Sequence, residues 1–204
     1  FRGLRVFWDR RGIRLVLDEV QSGFCRTGKW GAYQHAGIVP DISPWAKWVR
    51  GGMPTSAGLS KASVMDVAAR STVGVTYGGN PVSCAASLAA IGIMERENLN
   101  ERADEIGLRI RATFEVLRQD TNLVADIRGL GAMLAMELCH DADPARPAGE
   151  ECRLITAACR DRGLIVLPSG SHGNVIRILV PLVITDEDLD QGLAILKEAV
   201  LHVH

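Results

Sequence analysis

The sequence comprises 204 residues, of which 47% are hydrophobic and 23% are charged, with a formal net charge of -1. This composition is typical of a globular protein with a sizeable core, and the near-zero charge argues against nucleic acid or an anionic membrane surface as a partner. No apolar run approaches the roughly 20 residues that a membrane-spanning helix needs, so we expect no membrane span.

The sequence starts at Phe1 and runs almost directly into a strand-like segment, a pattern typical of the interior of a domain. We therefore interpret the chain as part of a longer one. It shows no signal-peptide pattern, and its odd number of cysteines forms no C-x-x-C pair. Free thiols in a reducing, cytoplasmic compartment are predicted. The cysteines are Cys25, Cys84, Cys139, Cys152 and Cys159.

Short apolar segments dominate the first part of the chain. Residues 14–18 (RLVLD) predict a buried parallel strand that ends in an acid. Residues 19–30 then form a loop at the carboxyl end of that strand, where the active sites of open α/β sheets gather. A second short segment opens at Pro40 and ends near Lys47, and residues 55–60 are a possible third strand.

A glycine-rich loop at residues 74–81 precedes a long helical region. Pro81 suits the first position of a helix, and the helical pattern extends to about residue 117, with a break predicted at Asn98 and Asn100. The segment CAASLAAIGIM carries small and apolar residues on most faces, which predicts a buried helix.

The last hundred residues alternate between strand and helix patterns. We predict a β-α-β-β-α arrangement after about residue 105, whose final helix has Thr185 as its N-cap and acidic residues in its first turn. The predicted segments are a strand at 123–138, a helix at 150–162, strands at 164–167 and 175–180, and the helix after Thr185.

Two side chains at strand ends are candidates for chemistry, Asp18 and Lys47. A carboxylate after an apolar strand is costly to bury unless it meets a cation or a donor, although a lone aspartate there is more often solvated. A lysine beside two tryptophans commonly extends to water, whereas a desolvated lysine has a lowered pKa and acts as a nucleophile or a base. Taken singly, neither residue decides between these interpretations.

Taken together, the motifs resemble a known family. LDEVQSGF, RTGKWGAYQHAG, PDI, AK, GGMP, TYGGNP and RGLGAMLAMEL occur in the order and spacing of the class III aminotransferases. The end of the chain, RDRGLIVLPSGSHGNVIRILVPLVITDEDLDQGLAIL, resembles the 4-aminobutyrate branch of that family in particular. The resemblance covers nearly all of the chain and corresponds to the C-terminal half of the family's usual length.

This resemblance implies an α/β fold and a cofactor, pyridoxal phosphate. Residues 1–104 would be a remnant of the cofactor-binding large domain of the fold type I transferases, with a mostly parallel sheet flanked by helices, plus a connecting helix. Residues 105–204 would be a small C-terminal α+β domain. The partners implied are an amino acid and a 2-oxo acid, and the full-length family member would be a homodimer.

The resemblance also implies a role for each matching residue. Lys47 would be the catalytic lysine that binds the cofactor covalently. Asp18 would pair with the pyridine nitrogen and keep it protonated, so that the ring can accept electrons. Gln21 would donate a hydrogen bond to the ring hydroxyl, and Val20 would pack against the ring face.

Two further residues have implied roles. Thr76, in TYGGNP, would bind the phosphate of the neighbouring subunit's cofactor through its hydroxyl and the glycine-rich backbone. Arg177, in NVIRILVPL, would hold a substrate carboxylate with a two-pronged contact. Without its flanking motif, Arg177 would be interpreted as a strand arginine that faces water.

The segment around Lys47 departs from the family pattern. Trp48 follows the lysine where the family usually has a small residue, and Pro44 and Trp45 precede it. Two indoles at this position would crowd a bound ring, and proline is rare inside central strands. Cys25 also stands where the family commonly has glycine.

Two classes of function remain open on the sequence. The first is transamination of an ω-amino acid such as 4-aminobutyrate with 2-oxoglutarate as acceptor; acetylornithine, 5-aminovalerate and diaminobutyrate aminotransferases share the core motifs. The second is a truncated or decayed, non-catalytic fragment of such an enzyme. A nucleotide-binding module is disfavoured because no G-x-G-x-x-G follows a strand and no Walker pattern is present.

Overall fold

The computed structural model describes residues 1–69, 74 and 76–203. The chain divides into two compact units, Phe1–Asn100 and Glu101–His204. The boundary predicted between residues 104 and 105 falls inside a helix that spans Leu99–Asp120.

The first unit combines short strands with helices of very different length. Strands β1 and β2 pair in antiparallel fashion, with Ile42 opposite Ser60 and Trp45 opposite Ala57. The elements are α1 (Arg2–Asp9), a 3-10 helix (Ala32–Ala36), β1 (Ile42–Trp45), a second 3-10 helix (Lys47–Arg50), β2 (Ala57–Ser60), α2 (Ala62–Met65) and α3 (Pro81–Arg96).

The parallel strand predicted at residues 14–18 forms only in part. Its backbone runs parallel to β1, and Val16 forms a bridge with Ile42. The Ile42 amide donates to the Leu15 carbonyl at 3.2 Å, and the Leu17 amide donates to the Ile42 carbonyl at 3.0 Å. This alternation is the start of a parallel ladder.

The ladder is interrupted at Pro44. The Glu19 amide donates to the Pro44 carbonyl at 3.0 Å, but Pro44 has no N–H with which to bond the Leu17 carbonyl in return. The hydroxyl of Ser43 donates to that carbonyl at 3.0 Å instead. A side chain thus replaces the missing backbone donor, and the two segments stay paired without a continuous strand.

The expectation of a mostly parallel sheet is wrong for the part of the chain that the structure describes. Both described sheets are antiparallel, and the bridge between Val16 and Ile42 is the parallel contact. Parallel neighbours need a crossover of about a dozen residues or more, usually through a helix. The connection between β1 and β2, residues 46–56, contains one short 3-10 helix and returns the chain antiparallel.

Asp41, just before β1, ties several elements of this unit together. Its side chain is 1% exposed and accepts hydrogen bonds from the Leu15 amide at 2.8 Å, from Lys61 Nζ at 2.8 Å and from Arg5 Nη1 at 2.7 Å. The Leu15 amide, then the Lys61 ammonium and the Arg5 guanidinium hold the pKa of Asp41 well below its usual range. The buried carboxylate is therefore ionised at neutral pH and fully partnered.

The break predicted near Asn98 is confirmed, because α3 ends at Arg96 and α4 (Leu99–Asp120) begins three residues later. Asn80 caps the N-terminus of α3, where its side chain accepts a hydrogen bond from the Ser83 amide at 2.9 Å.

The expectation that α3 is buried is wrong. Ser83 is the buried residue of this helix, and Leu88 is 71% exposed. One face packs closely on the chain after β1: the Ser83 hydroxyl donates to the Pro54 carbonyl at 3.2 Å, and a Cβ atom at Gly51 would lie 2.7 Å from the Ala86 carbonyl oxygen. Within the described residues of this unit, the other faces of α3 are largely solvent-exposed.

The second unit contains a four-stranded antiparallel sheet in the order β3-β4-β6-β5. The predicted strand at residues 123–138 is a hairpin whose turn begins at Gly131, with φ +52°, a conformation that glycine adopts without steric cost. The order is thus β-β-α-β-β-α. The elements are α4, β3 (Val124–Leu130), β4 (Met133–Leu138), a 3-10 helix (His140–Ala142), α5 (Gly149–Asp161), β5 (Leu167–Ser169), β6 (Val175–Ile178) and α6 (Asp186–Val203).

Helix periodicity builds the core of this unit. One stripe of α4 is fully buried, at Ile106, Ile110, Phe114 and Leu117, which is the spacing of an amphipathic helix. Thr185 caps α6 as predicted, since its hydroxyl accepts a hydrogen bond from the Asp188 amide at 3.1 Å. In the part of the chain described here, no helix is both long and apolar enough to cross a membrane.

We expect Asp41→Asn to lower the free energy of unfolding of the first unit by about 1–3 kcal/mol, because the Lys61 ammonium and the Arg5 guanidinium lose the buried anionic acceptor of their hydrogen bonds. The folded-state pKa is depressed, so the contribution of Asp41 is present above about pH 4 and is lost as the pH falls further. Denaturant unfolding of both proteins between pH 7 and pH 3 should therefore show the difference shrinking with acid.

The matched control is Asp66→Asn, since Asp66 is exposed and should change stability by less than about 0.5 kcal/mol. A constant difference between wild type and Asp41→Asn across this pH range would contradict the assignment of the ionised carboxylate.

Candidate active site

The partial ladder sets where Asp18 and Lys47 lie in the first unit. The hydrogen bond from Glu19 to Pro44 places Asp18 at the carboxyl end of the first segment. Lys47 opens the 3-10 helix that directly follows β1. Asp18 and Lys47 therefore lie at the carboxyl ends of two adjacent segments that run parallel. Active sites of α/β folds are built at such ends.

Asp18 presents an open carboxylate. The residue is exposed, and its Oδ1 accepts a hydrogen bond from the Val20 amide at 2.8 Å. Its Oδ2 accepts none from residues 1–69, 74 and 76–203. Asp18 also lines a cavity of about 210 Å³, together with Phe1, Leu17, Glu19, Ser22, Ala32, Tyr33 and Ala36.

The neighbouring Glu19 has the opposite environment, and its role was not predicted from the sequence. It is 2% exposed, and both of its oxygens are engaged: Oε2 accepts from the Ser22 hydroxyl at 2.6 Å and Oε1 accepts from the Tyr33 amide at 3.0 Å. A buried carboxylate must be paired in this way. Glu19 therefore anchors the loop, whereas the Asp18 carboxylate stays exposed.

Lys47 has an unusual backbone and an unengaged amine. Its φ is +53°, a left-handed conformation that costs an L-residue about 1–2 kcal/mol. The side chain is exposed, and none of the hydrogen bonds or ion pairs within the described ranges involves its Nζ. Backbone strain of this kind clusters at functional sites, where the surrounding structure holds it.

The sequence suggested that the Trp45 indole would crowd a ring bound near Lys47, but the indole packs into the core of this unit instead. Trp45 is 5% exposed, and its ring meets Phe24 and Tyr33 edge-on, with centroids 5.1 and 6.3 Å away. Two glycines make room for it, since a Cβ atom at Gly23 would lie 2.5 Å from Trp45 Cζ3 and one at Gly31 would lie 2.9 Å from Cη2. Trp45 therefore belongs to the core of this unit.

Trp48 faces the loop that follows Asp18. Its indole Nε1 donates a hydrogen bond to the Gln21 carbonyl at 3.1 Å. The guanidinium carbon of Arg26 lies 4.2 Å from the centre of the Trp48 ring. Burial lowers the pKa of Arg26 to about 10, so the arginine is still cationic at neutral pH and suited to this cation–π contact.

Cys25 occupies a buried position with a left-handed backbone, which the sequence alone did not reveal. Its φ is +66°, and the residue is fully buried. This left-handed conformation favours glycine, the residue common at this position in the family that the sequence resembles. Burial raises the pKa of its thiol to about 11. Cys25 is therefore a protonated, unreactive residue in the core of the loop.

The last two predicted site residues lie in other elements. Thr76 is exposed in the turn that leads to Asn80 and α3, while Val75 before it lies outside the described residues. Arg177 is half-buried on β6 of the second unit. It lines a cavity of about 220 Å³ whose other walls include Leu164, Val166, Ile178, Pro181, Asp188 and Leu189.

The sequence profile described as "Aminotransferase class-III" matches residues 1–200. The chain belongs to the class III aminotransferases. Members of this family depend on pyridoxal phosphate.

Curated relatives agree with this assignment. The chain is 44% identical over 195 residues to 5-aminovalerate aminotransferase of Pseudomonas aeruginosa, and the match covers 96% of this chain and 46% of that protein. It is 41% identical over 195 residues to 4-aminobutyrate aminotransferase of Escherichia coli, with coverage of 96% and 46%. The chain therefore spans about half the length of the curated relatives it matches.

Solved structures show that the aminotransferase fold is shared. A phospholyase from Arthrobacter in complex with phosphoethanolamine superposes with a TM-score of 0.91 at 31% identity, covering 98% of this chain and 48% of that one. The ornithine aminotransferase of Toxoplasma gondii, with partial occupancy of pyridoxal phosphate at its active site, superposes with a TM-score of 0.84 at 31% identity, covering 98% and 46%.

We expect Gly23→Ala to destabilise the first unit by about 1–3 kcal/mol, the usual cost of overpacking a core. The added methyl group would meet the Trp45 ring at 2.5 Å and the Glu19 carbonyl oxygen at 2.8 Å. Urea unfolding followed by tryptophan fluorescence measures the change.

Gly92→Ala is the control. A Cβ atom at this interior position of α3 meets nothing within 4 Å, so we expect a gain of up to about 1 kcal/mol from helix propensity. If Gly23→Ala were as stable as wild type, the close packing of Trp45 against the loop would be wrong.

Proposed function

We propose that this chain carries the cofactor-binding lysine and part of the substrate site of an enzyme that transaminates an ω-amino acid, such as 4-aminobutyrate, with 2-oxoglutarate as the amino acceptor. The observation that supports this most is the parallel pairing of residues 15–19 with β1. Asp18 lies at the carboxyl end of the first segment, and Lys47 follows the carboxyl end of β1. Membership of the class III aminotransferases indicates that Asp18 and Lys47 would serve the chemistry of pyridoxal phosphate.

The residues present fit pyridoxal phosphate. Asp18 retains a carboxylate oxygen that no described residue engages, and Lys47 retains its amine. A cationic ring nitrogen and an aldehyde are the partners that these two groups suit. When bound, pyridoxal phosphate supplies an electron-accepting ring that stores the amino group between the two halves of the reaction.

In this proposal each residue of the first unit has a defined task. Lys47 holds the cofactor covalently, and its freed amine takes and returns the proton at the amino-bearing carbon of the substrate. Asp18 holds the proton on the ring nitrogen through a charge-assisted hydrogen bond. Gln21 donates a hydrogen bond to the ring hydroxyl, and Val20 packs against the ring face.

Thr76 and Arg177 extend the proposal to the phosphate and the substrate. In the homodimer that we propose for the full-length protein, the Thr76 hydroxyl binds the phosphate of the partner's cofactor. Arg177 binds a substrate carboxylate, and its half-buried position on β6, beside a largely apolar cavity, supports recognition of a short aliphatic acid.

The choice of 4-aminobutyrate or 5-aminovalerate as donor rests on the names of the relatives at 41% and 44% identity. Other matched relatives have different reactions, including a 2-aminoadipate transaminase of Pseudomonas putida and a leucine/methionine racemase of Thermococcus litoralis, each at 37% identity. An ω-amino acid is therefore the donor class that we propose, rather than one compound.

A second candidate is a non-catalytic protein that retains the C-terminal half of the family fold. The segment around Lys47 favours it, because Trp48 stands where the family usually has a small residue. Cofactor binding at Lys47 separates the two candidates.

We expect the purified chain to take up pyridoxal phosphate with a change in visible absorbance, and borohydride to fix the cofactor on Lys47. Peptide mass mapping identifies the labelled lysine. Lys47→Arg should abolish the label, whereas Lys29→Arg, at an exposed lysine of the same unit, should leave it unchanged.

Asp18→Asn should weaken cofactor binding at least about tenfold while the label stays on Lys47, because a charge-assisted hydrogen bond is lost. Labelling spread over several lysines, or the same labelling in Lys47→Arg, would support the non-catalytic candidate instead.

A further inference from the structure

Trp48 connects two parts of the first unit that are distant in sequence. Its Nε1 donates to the Gln21 carbonyl at 3.1 Å across 27 positions of the chain, and its ring face receives the Arg26 guanidinium at 4.2 Å. The indole therefore touches the loop that begins just after Asp18 at two positions, Gln21 and Arg26.

The same residue adjoins the strained backbone of Lys47. The 3-10 helix Lys47–Arg50 begins on a left-handed residue, Lys47 at φ +53°, and is followed by a second one, Gly51 at φ +53°. A lysine keeps such a conformation only where its surroundings fix it. Trp45 fixes the chain before Lys47 through the aromatic core. After Lys47, Trp48 contacts the loop that follows Asp18, and Gly51 packs against α3.

The loop bound by Trp48 also carries Val20 and Gln21. The Val20 amide donates a hydrogen bond to the Asp18 carboxylate, which constrains the backbone on one side. The hydrogen bond from Trp48 to the Gln21 carbonyl constrains the other side. Without this bond, the Gln21 carbonyl would lose its connection to the lysine segment. The two segments would then be held by the interrupted ladder and by the packing of Trp45 against Phe24.

We propose that Trp48 is a positioning residue that locks the lysine segment, residues 46–51, to the loop at residues 18–26. This inference rests on the proposed function, because the two segments carry the groups that would face the cofactor. The bulky residue that departs from the family pattern thus supplies, through its N–H and its ring, a connection that a small residue cannot make.

Hydrogen–deuterium exchange of the chain without cofactor tests the connection directly. Trp48→Phe keeps an aromatic face for Arg26 and removes the N–H donor. Amide exchange should rise roughly fivefold in residues 18–26 and 46–51, the equilibrium factor for one lost hydrogen bond. Trp8→Phe, the same replacement at a half-buried tryptophan on α1, should leave both segments unchanged.

A second measurement addresses the cofactor. If wild type binds pyridoxal phosphate, Trp48→Phe should raise the Kd roughly fivefold, the same factor for one lost hydrogen bond, with the borohydride label still on Lys47, and Trp8→Phe should not. An unchanged Kd in Trp48→Phe would overturn the positioning role.

The exchange experiment tests the connection even if wild type takes up no cofactor, in which case the proposed function fails separately. Faster exchange confined to the two segments supports the connection. Unchanged exchange overturns it, and so does a uniform rise or unfolding of the whole first unit, since either would make Trp48 an ordinary core residue.

Discussion

The pairing of residues 15–19 with β1 is the constraint on which the candidate site depends. Pro44 removes one backbone donor from that pairing, and the Ser43 hydroxyl bonds the Leu17 carbonyl in its place. The register therefore holds through the last bond, from Glu19 to Pro44. A slip here would separate the acid that follows one segment from the lysine that follows the other.

The charged side chains around this pairing are of two kinds: those whose hydrogen-bonding groups have partners within the protein, and those that keep a group without a partner among the described residues. Asp41 and Glu19 are buried and accept hydrogen bonds from within the unit, so each holds distant segments of the unit together. Asp18 and Lys47 are exposed and keep bonding capacity that no described residue uses.

Much of the local structure could be predicted from the sequence, because caps and periodicity act over a few residues. Thr185, the stripe of α4 and the break before Leu99 are of this kind. The exposed faces of α3 could not be predicted, because composition does not reveal which surfaces find a partner. For the site, motif order supplied the candidate residues, whose roles stay predictions. The replacement of a backbone donor by Ser43 and the left-handed φ of Lys47 depend on tertiary contacts that no sequence pattern encodes.

The central claim is that the pairing holds Asp18 and Lys47 so that one cofactor ring can meet both. A crystal structure of the chain after addition of pyridoxal phosphate and reduction with borohydride tests this most directly. We predict the reduced cofactor on Lys47 Nζ, with its ring nitrogen within hydrogen-bond distance of the Asp18 carboxylate. A cofactor on another lysine, or a ring on Lys47 whose nitrogen points away from Asp18, would contradict it.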